Sequence, residues 1–241
     1  MFNIIIKEDY RQISEAANEI VRELLAKKQD AIFGLATGST PLGLYSAMIA
    51  DNEQNITDYQ KVVTFNLDEY IGLPDKHPQS YKSFMEENLF SKINIKLGNT
   101  HLPLARDSQD LRACQDYEEL LADYVIDIQV LGIGANGHIG FNEPGTAFDS
   151  FTHIVELAKR TRLDNQRFFS SLDEVPTHAI TMGIATIMKA KKIILLASGE
   201  NKAQAVFEMI NGPIVEEMPA SILQKHPNVI VLLDKAAASK L

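Results

Sequence analysis

Short apolar runs alternate with amphipathic stretches along almost the whole chain, and no other feature constrains the fold as strongly. Residues 2–7, 31–37, 61–67, 127–133, 192–197 and 228–233 read as strands. Residues 12–28, 41–50, 81–89, 107–124, 181–190 and 202–210 read as helices. In the first helix Ile13, Ala16, Ala17, Ile20, Val21, Leu24 and Leu25 recur at helical spacing. Asp107 or Ser108 is the expected cap of the fourth. Strands apolar throughout are covered on both faces, and helical crossovers between them bring parallel pairing. The expected fold is α/β: a single domain over residues 1–241, built on a mostly parallel, doubly wound (Rossmann-like) sheet with helices on both faces. Residues 151–178 are polar, mixed and weakly periodic, and are expected to form an active-site lid. No internal repeat or low-complexity tract interrupts the pattern.

Charge and cysteine content then narrow the function classes. The 241 residues hold 23 Lys plus Arg against 32 Asp plus Glu, a net charge of −9. That balance argues against nucleic acid or an anionic membrane as partner. Cys114 is the single cysteine, so neither an internal disulfide nor a cysteine-based zinc site is possible. The N-terminal MFNIIIKEDY reads as a strand rather than a signal peptide, and no apolar run approaches membrane-spanning length. The expectation is a cytoplasmic protein whose partner is a small molecule.

In doubly wound sheets ligands bind outside the carboxyl ends of the strands. Four polar or glycine-rich clusters stand at such ends: residues 37–40, 68–70, 134–143 and 198–202. Thr37, Gly38, Ser39 and Thr40 lead into a helix, where free N–H groups and hydroxyls can cradle a phosphate. The turn lacks the lysine and spacing of a P-loop, so a phosphomonoester fits better than a triphosphate. A simply capped helix start would look the same. Asp68 and Glu69 follow an apolar strand, and adjacent side chains there diverge, so one carboxylate at most should face a site. Partial burial would raise its pKa and suit it to proton abstraction.

The segment LGIGANGHIGFNEPG is the most informative. His138 can shuttle protons near neutral pH. Glu143 could accept its ring N–H and fix the tautomer, and Asn136 could join the same network. One histidine is too few for a metal, so no metal is expected. Arg167, in the lid, and Lys202, at a helix start, could clamp a phosphate, although each alone could be surface charge.

Together ATGSTPLGLY, FNLDEYIGL, LGIGANGHIGFNEPG, the RFF around Arg167, ITMGIATI and SGENKA resemble the glucosamine-6-phosphate deaminase family, in the family's order and over nearly the whole chain. The resemblance implies aldose–ketose isomerisation with release of ammonia, a hydrolase activity on a carbon–nitrogen bond in amino-sugar catabolism. It implies His138 as acid and base for ring opening, oriented by Glu143, and Asp68 as carrier of the C2 proton to C1. Residues 37–40, Arg167 and Lys202 would hold the phosphate, and no cofactor is implied. Some members carry Asp where this chain has Asn136, which adds no charge to the His–Glu pair. Residues 151–163 look shorter than in hexameric, allosterically regulated members, so an unregulated monomer or low-order homo-oligomer is expected.

Two alternatives follow. A 6-phosphogluconolactonase-type hydrolase is similar at the first turn and the glycine loop. It lacks the Asn-Glu-Pro continuation, however, and has Arg where this chain has Tyr70. A non-catalytic sugar-phosphate-sensing domain of a transcription regulator would need a DNA-binding module and would have no use for Asp68 with His138.

Overall fold

The computed structural model describes residues 2–74, 76–158, 161–163, 166 and 169–241. In chain order its named elements are β1 (Asn3–Lys7), α1 (Tyr10–Lys27), β2 (Ile32–Leu35), α2 (Leu42–Glu53), β3 (Val63–Asn66), β4 (Asp68–Ile71), α3 (Tyr81–Asn88), β5 (Thr100–His101), α4 (Leu111–Ala122), β6 (Ile128–Leu131), β7 (His153–Glu156), β8 (His178–Thr181), α5 (Ile184–Ile187), β9 (Ile193–Ala197), α6 (Ala203–Asn211) and β10 (Val229–Asp234).

Seven strands form one sheet in the order β1-β10-β9-β6-β2-β3-β5, and every adjacent pair is parallel. Its strands are apolar on both faces. In β9, Ile193, Leu195 and Ala197 enter one buried cluster, while Ile194 and Leu196 enter a second. This alternation is the period of a strand covered on both sides. From β2 the chain moves outward to β3 and β5, then returns to place β6 on the other side of β2. The direction of winding reverses there, which opens a crevice beyond the carboxyl ends of β2 and β6.

A second sheet was not foreseen from the sequence. β4, β8 and β7 pair antiparallel in the order β4-β8-β7, with Asp68 and His153 both opposite Thr181. Leu67 joins the two sheets: its N–H donates to Leu35 of the large sheet at 3.0 Å, and its carbonyl accepts from Met182 at 2.6 Å. Part of residues 151–178 is therefore strand. The helix expected at 181–190 shrinks to Ile184–Ile187, because residues 178–181 are drawn into pairing with β4. The helix expected from Asp107 or Ser108 starts at Leu111 instead. Asp107 turns back on the N–H of Gln109, leaving Asp110 to accept from Ala113 as the cap. No helix among the described residues is long and apolar enough to cross a membrane.

Gly183 lets the small sheet sit where it does. A Cβ there would lie 2.2 Å from the carbonyl oxygen of Phe151 and 2.3 Å from that of Ser150. Backbone on one side and sheet on the other leave nothing flexible to yield. Gly183→Ala is expected to cost about 1–3 kcal/mol by overpacking, measured as a fall in the urea midpoint at unchanged slope. An unchanged midpoint would show that the two segments part freely.

Candidate active site

The loop after β6 carries the imidazole. A Cβ on Gly134 would fall 2.3 Å from Nδ1 of His138, so any larger residue there would displace the ring. Nδ1 is 2.7 Å from Oδ1 of Asn136 and 3.6 Å from Oε2 of Glu143. The amide Nδ2 of Asn136 donates to that same Oε2 at 2.7 Å. The sequence expectation of a direct His138–Glu143 hydrogen bond is thus corrected: Asn136 stands between them.

The amide orientation is assigned by the partners. A carboxylate only accepts, so Nδ2 faces Glu143 and Oδ1 faces His138. Oδ1 accepts from the His138 backbone N–H as well, at 3.3 Å. The ring proton then resides on Nδ1, and Nε2 is left to exchange protons with a ligand. Burial would raise the Glu143 carboxyl. The neighbouring His138 ring, with hydrogen bonds from Thr161 and Asn136, outweighs it and holds the group at about 2.

Asp68 opens β4 immediately after the Leu67 handover, and its side chain is buried. A Cβ on Gly140 would lie 3.5 Å from Oδ2 of Asp68, so the His138 loop runs directly past this carboxylate. Burial, and secondarily the nearby charge of Glu69, push the Asp68 carboxyl up to about 8. Glu69 points the other way. Its carboxylate accepts from the N–H groups of Tyr81 and Lys82, at 2.8 Å each, and so caps α3. Burial raises the Glu69 carboxyl too, against the lowering by those backbone donors. Of two adjacent acids, one serves the site and one serves the fold.

Residues 37–40 join β2 to α2, and Pro41 at the helix cap contributes no side-chain hydrogen bond. The turn is braced from below. The Tyr10 hydroxyl lies 2.9 Å from the carbonyl oxygens of Ser39 and Thr40 and accepts from the N–H of Gly43 at 2.7 Å. Thr40 packs on Gly132 at the root of the His138 loop. Beside Gly38 and Ser39 is a cavity of about 110 Å³ walled by Leu42, Tyr70, Tyr81 and Phe169. Tyr81 sits 4.7 Å from Tyr70, between ring centroids, and stacks on Phe141.

Lys202 caps α6, following the carboxyl end of β9 on the same sheet edge. Asp234 ties down the preceding turn by accepting from the Ser198 hydroxyl and the Gly199 N–H. Arg167 lies outside the described residues. Among the described residues, no group of three or more His, Cys, Asp or Glu could hold a metal.

The structure therefore brings Asp68 beside the loop of Asn136, His138 and Glu143, with Thr40 of the 37–40 turn packed at the root of that loop, while Lys202 follows β9 of the same sheet. Sequence reading passed over Thr161, which donates to Glu143 from 18 positions away. It also passed over Tyr10 and the aromatic wall. Nothing in local pattern distinguishes these from core residues.

Residues 7–231 match the family described as glucosamine-6-phosphate isomerases/6-phosphogluconolactonase. A glucosamine-6-phosphate deaminase of Clostridium novyi (strain NT) is 53% identical over 239 residues, which cover 99% of each chain. A solved structure of a monomeric glucosamine-6-phosphate deaminase superposes with a TM-score of 0.96 at 43% identity, covering 100% of both chains. A 6-phosphogluconolactonase from Trypanosoma brucei superposes with a TM-score of 0.81 at 20% identity over 100% of this chain and 99% of that one, a likeness of fold alone. With its motifs, its sheet and its loop all matched along nearly the full length, the chain belongs to the glucosamine-6-phosphate isomerase/6-phosphogluconolactonase family.

Proposed function

We propose that the chain converts glucosamine 6-phosphate and water to fructose 6-phosphate and ammonia. The observation that carries this reading is the buried Asp68 carboxylate beside the loop that presents His138, at a phosphate-type turn. In this reading the 37–40 turn, Arg167 and Lys202 hold the phosphate, the turn through its N–H groups and the cations through charge. Nε2 of His138 takes the anomeric hydroxyl proton and returns it to the ring oxygen, which opens the pyranose. The Asn136–Glu143 relay keeps Nδ1 protonated throughout. Asp68 takes the proton from C2 and delivers it to C1 through an enolamine. Water then adds at C2 and the amine leaves as ammonia.

The net change is hydrolytic cleavage of a carbon–nitrogen bond. Residues 151–178 cover the site in this reading, supported by the Thr161–Glu143 contact and by Phe169 in the cavity wall. We infer a single-domain cytoplasmic enzyme of amino-sugar catabolism. It acts as a monomer or low-order oligomer, in keeping with the monomeric structural relative.

Incubation with glucosamine 6-phosphate in chelator is expected to release ammonia and fructose 6-phosphate in equal amounts. Asp68→Asn should cut turnover by roughly 10²–10⁴-fold with little change in KM. A folded protein that hydrolyses 6-phosphogluconolactone and spares the amino sugar would favour the lactonase instead. Binding without turnover of either would point to a sensor.

Phosphate clamps act on ground and transition states alike. Arg167→Ala and Lys202→Ala are therefore each expected to raise KM about tenfold or more with kcat largely kept. A fall in kcat at unchanged KM would move both residues into the chemistry.

The raised Asp68 pKa sets a pH limb. A base must be ionised, and free Asp68 becomes so only as pH climbs through about 8. kcat/KM, which reports the free enzyme, should rise with pH to about 8 and then level. The ammonium of bound substrate favours the carboxylate, so the limb in kcat should lie at lower pH. A kcat/KM profile flat across this range would place the base elsewhere.

A further inference from the structure

The hydroxyl of Thr161 donates to Oε1 of Glu143, while Oε2 of the same carboxylate is taken by Asn136. Thr161 is buried at 7% exposure. Its position is set by contacts on both sides of it in the chain. The next residue, Arg162, donates through Nη2 to the carbonyl oxygens of Leu172 and Val175, at 2.9 and 3.0 Å. Its backbone N–H donates to Ala158 at 3.0 Å. Upstream, Leu157 donates its N–H to Thr177 at 2.8 Å and is buried against Tyr70 and Phe141. Thr161 is thus a fixed point that Glu143 must meet.

A carboxylate held through one oxygen turns readily about its last torsion, which has only broad preferences. Held through both, its plane is set. That plane fixes the amide of Asn136, because Nδ2 must point at Oε2. The amide in turn fixes the imidazole, because Oδ1 must meet Nδ1. The four groups form one chain of hydrogen bonds with Thr161 at its outer end.

We propose that Thr161 is a positioning residue, through which the contacts of Arg162 and Leu157 set the orientation of Glu143, Asn136 and finally the His138 ring. It touches no reacting atom and works only through that chain. The inference rests on the deaminase reading for its kinetic consequence, and on geometry alone for its effect on the ring.

Two substitutions separate this role from a merely structural one. Thr161→Val keeps the shape and loses the donor, and Thr161→Ser keeps the donor and loses a methyl. With saturating glucosamine 6-phosphate, Thr161→Val is expected to lower kcat on the order of 10- to 100-fold, as a small misplacement of a reacting group does, with KM within about twofold. Thr161→Ser should stay within roughly threefold of the parent in both. A loss confined to KM would make Thr161 part of substrate enclosure and overturn the proposal. So would a Ser variant as slow as the Val variant, or a Val variant as fast as the parent.

The Nδ1–H resonance of His138 gives a second reading, independent of turnover. It should shift or broaden in Thr161→Val and persist in Thr161→Ser; an unchanged resonance in both overturns the proposal. If Thr161→Val does not fold, Thr161→Ala replaces it with the same expectations. Should the parent itself release no ammonia, the deaminase reading fails, and the resonance alone decides for or against Thr161.

Discussion

The two backbone bonds of Leu67, one to each sheet, are the constraint on which the site depends. The N–H stays with the parallel sheet while the carbonyl is already paired to Met182, the residue directly after β8 of the small one. A strand that ended at the sheet edge would leave its next residue in solvent. Here the next residue, Asp68, is carried into β4 and buried. Its raised pKa follows from that placement, since burial is the first cause of the shift. The same step turns Glu69 away from the crevice, onto the N-terminus of α3.

Burying a carboxyl this way works against stability. Its folded pKa of about 8 lies above the ordinary aspartate value. The folded state therefore binds the proton more tightly, and the contribution to stability is lost as pH rises from about 4 toward 8. Glu143 has the opposite sign. Held at about 2, it stabilises the fold above the ordinary glutamate value, and loses that effect only as pH falls toward 2. Two carboxylates on one crevice thus differ widely in proton affinity. One is desolvated beside another acid; the other is saturated with donors. Such a separation suits one to carry a proton and the other to remain a fixed charge.

A neutral amide between His138 and Glu143 transmits orientation rather than charge. Asn136 has one donor end and one acceptor end, and only one way round satisfies both neighbours. It thereby copies the direction of Glu143 onto the imidazole without adding a second anion. The distance of 3.6 Å between Nδ1 and Oε2 leaves the direct ion pair secondary to this path.

Several features were legible in the sequence because they are local. Apolar runs such as residues 192–197 and 228–233 specify buried strands by their period, and helices between them compel parallel pairing. The glycines around His138 and the turn at residues 37–40 mark a crevice edge, because backbone of that composition serves tight turns and close approach. Other features required the folded chain. The strands at 68–71, 153–156 and 178–181 are four residues each and pair across long separations, so no local period announces them. Which of Asp68 and Glu69 faces the crevice depends on α3 arriving to take the other. That Asn136 lies between His138 and Glu143 depends on the path of the glycine loop, and that Thr161 reaches Glu143 depends on a segment packed back over it. Residue types and their period are written along the chain, but contacts between distant residues exist only once packing has brought them together.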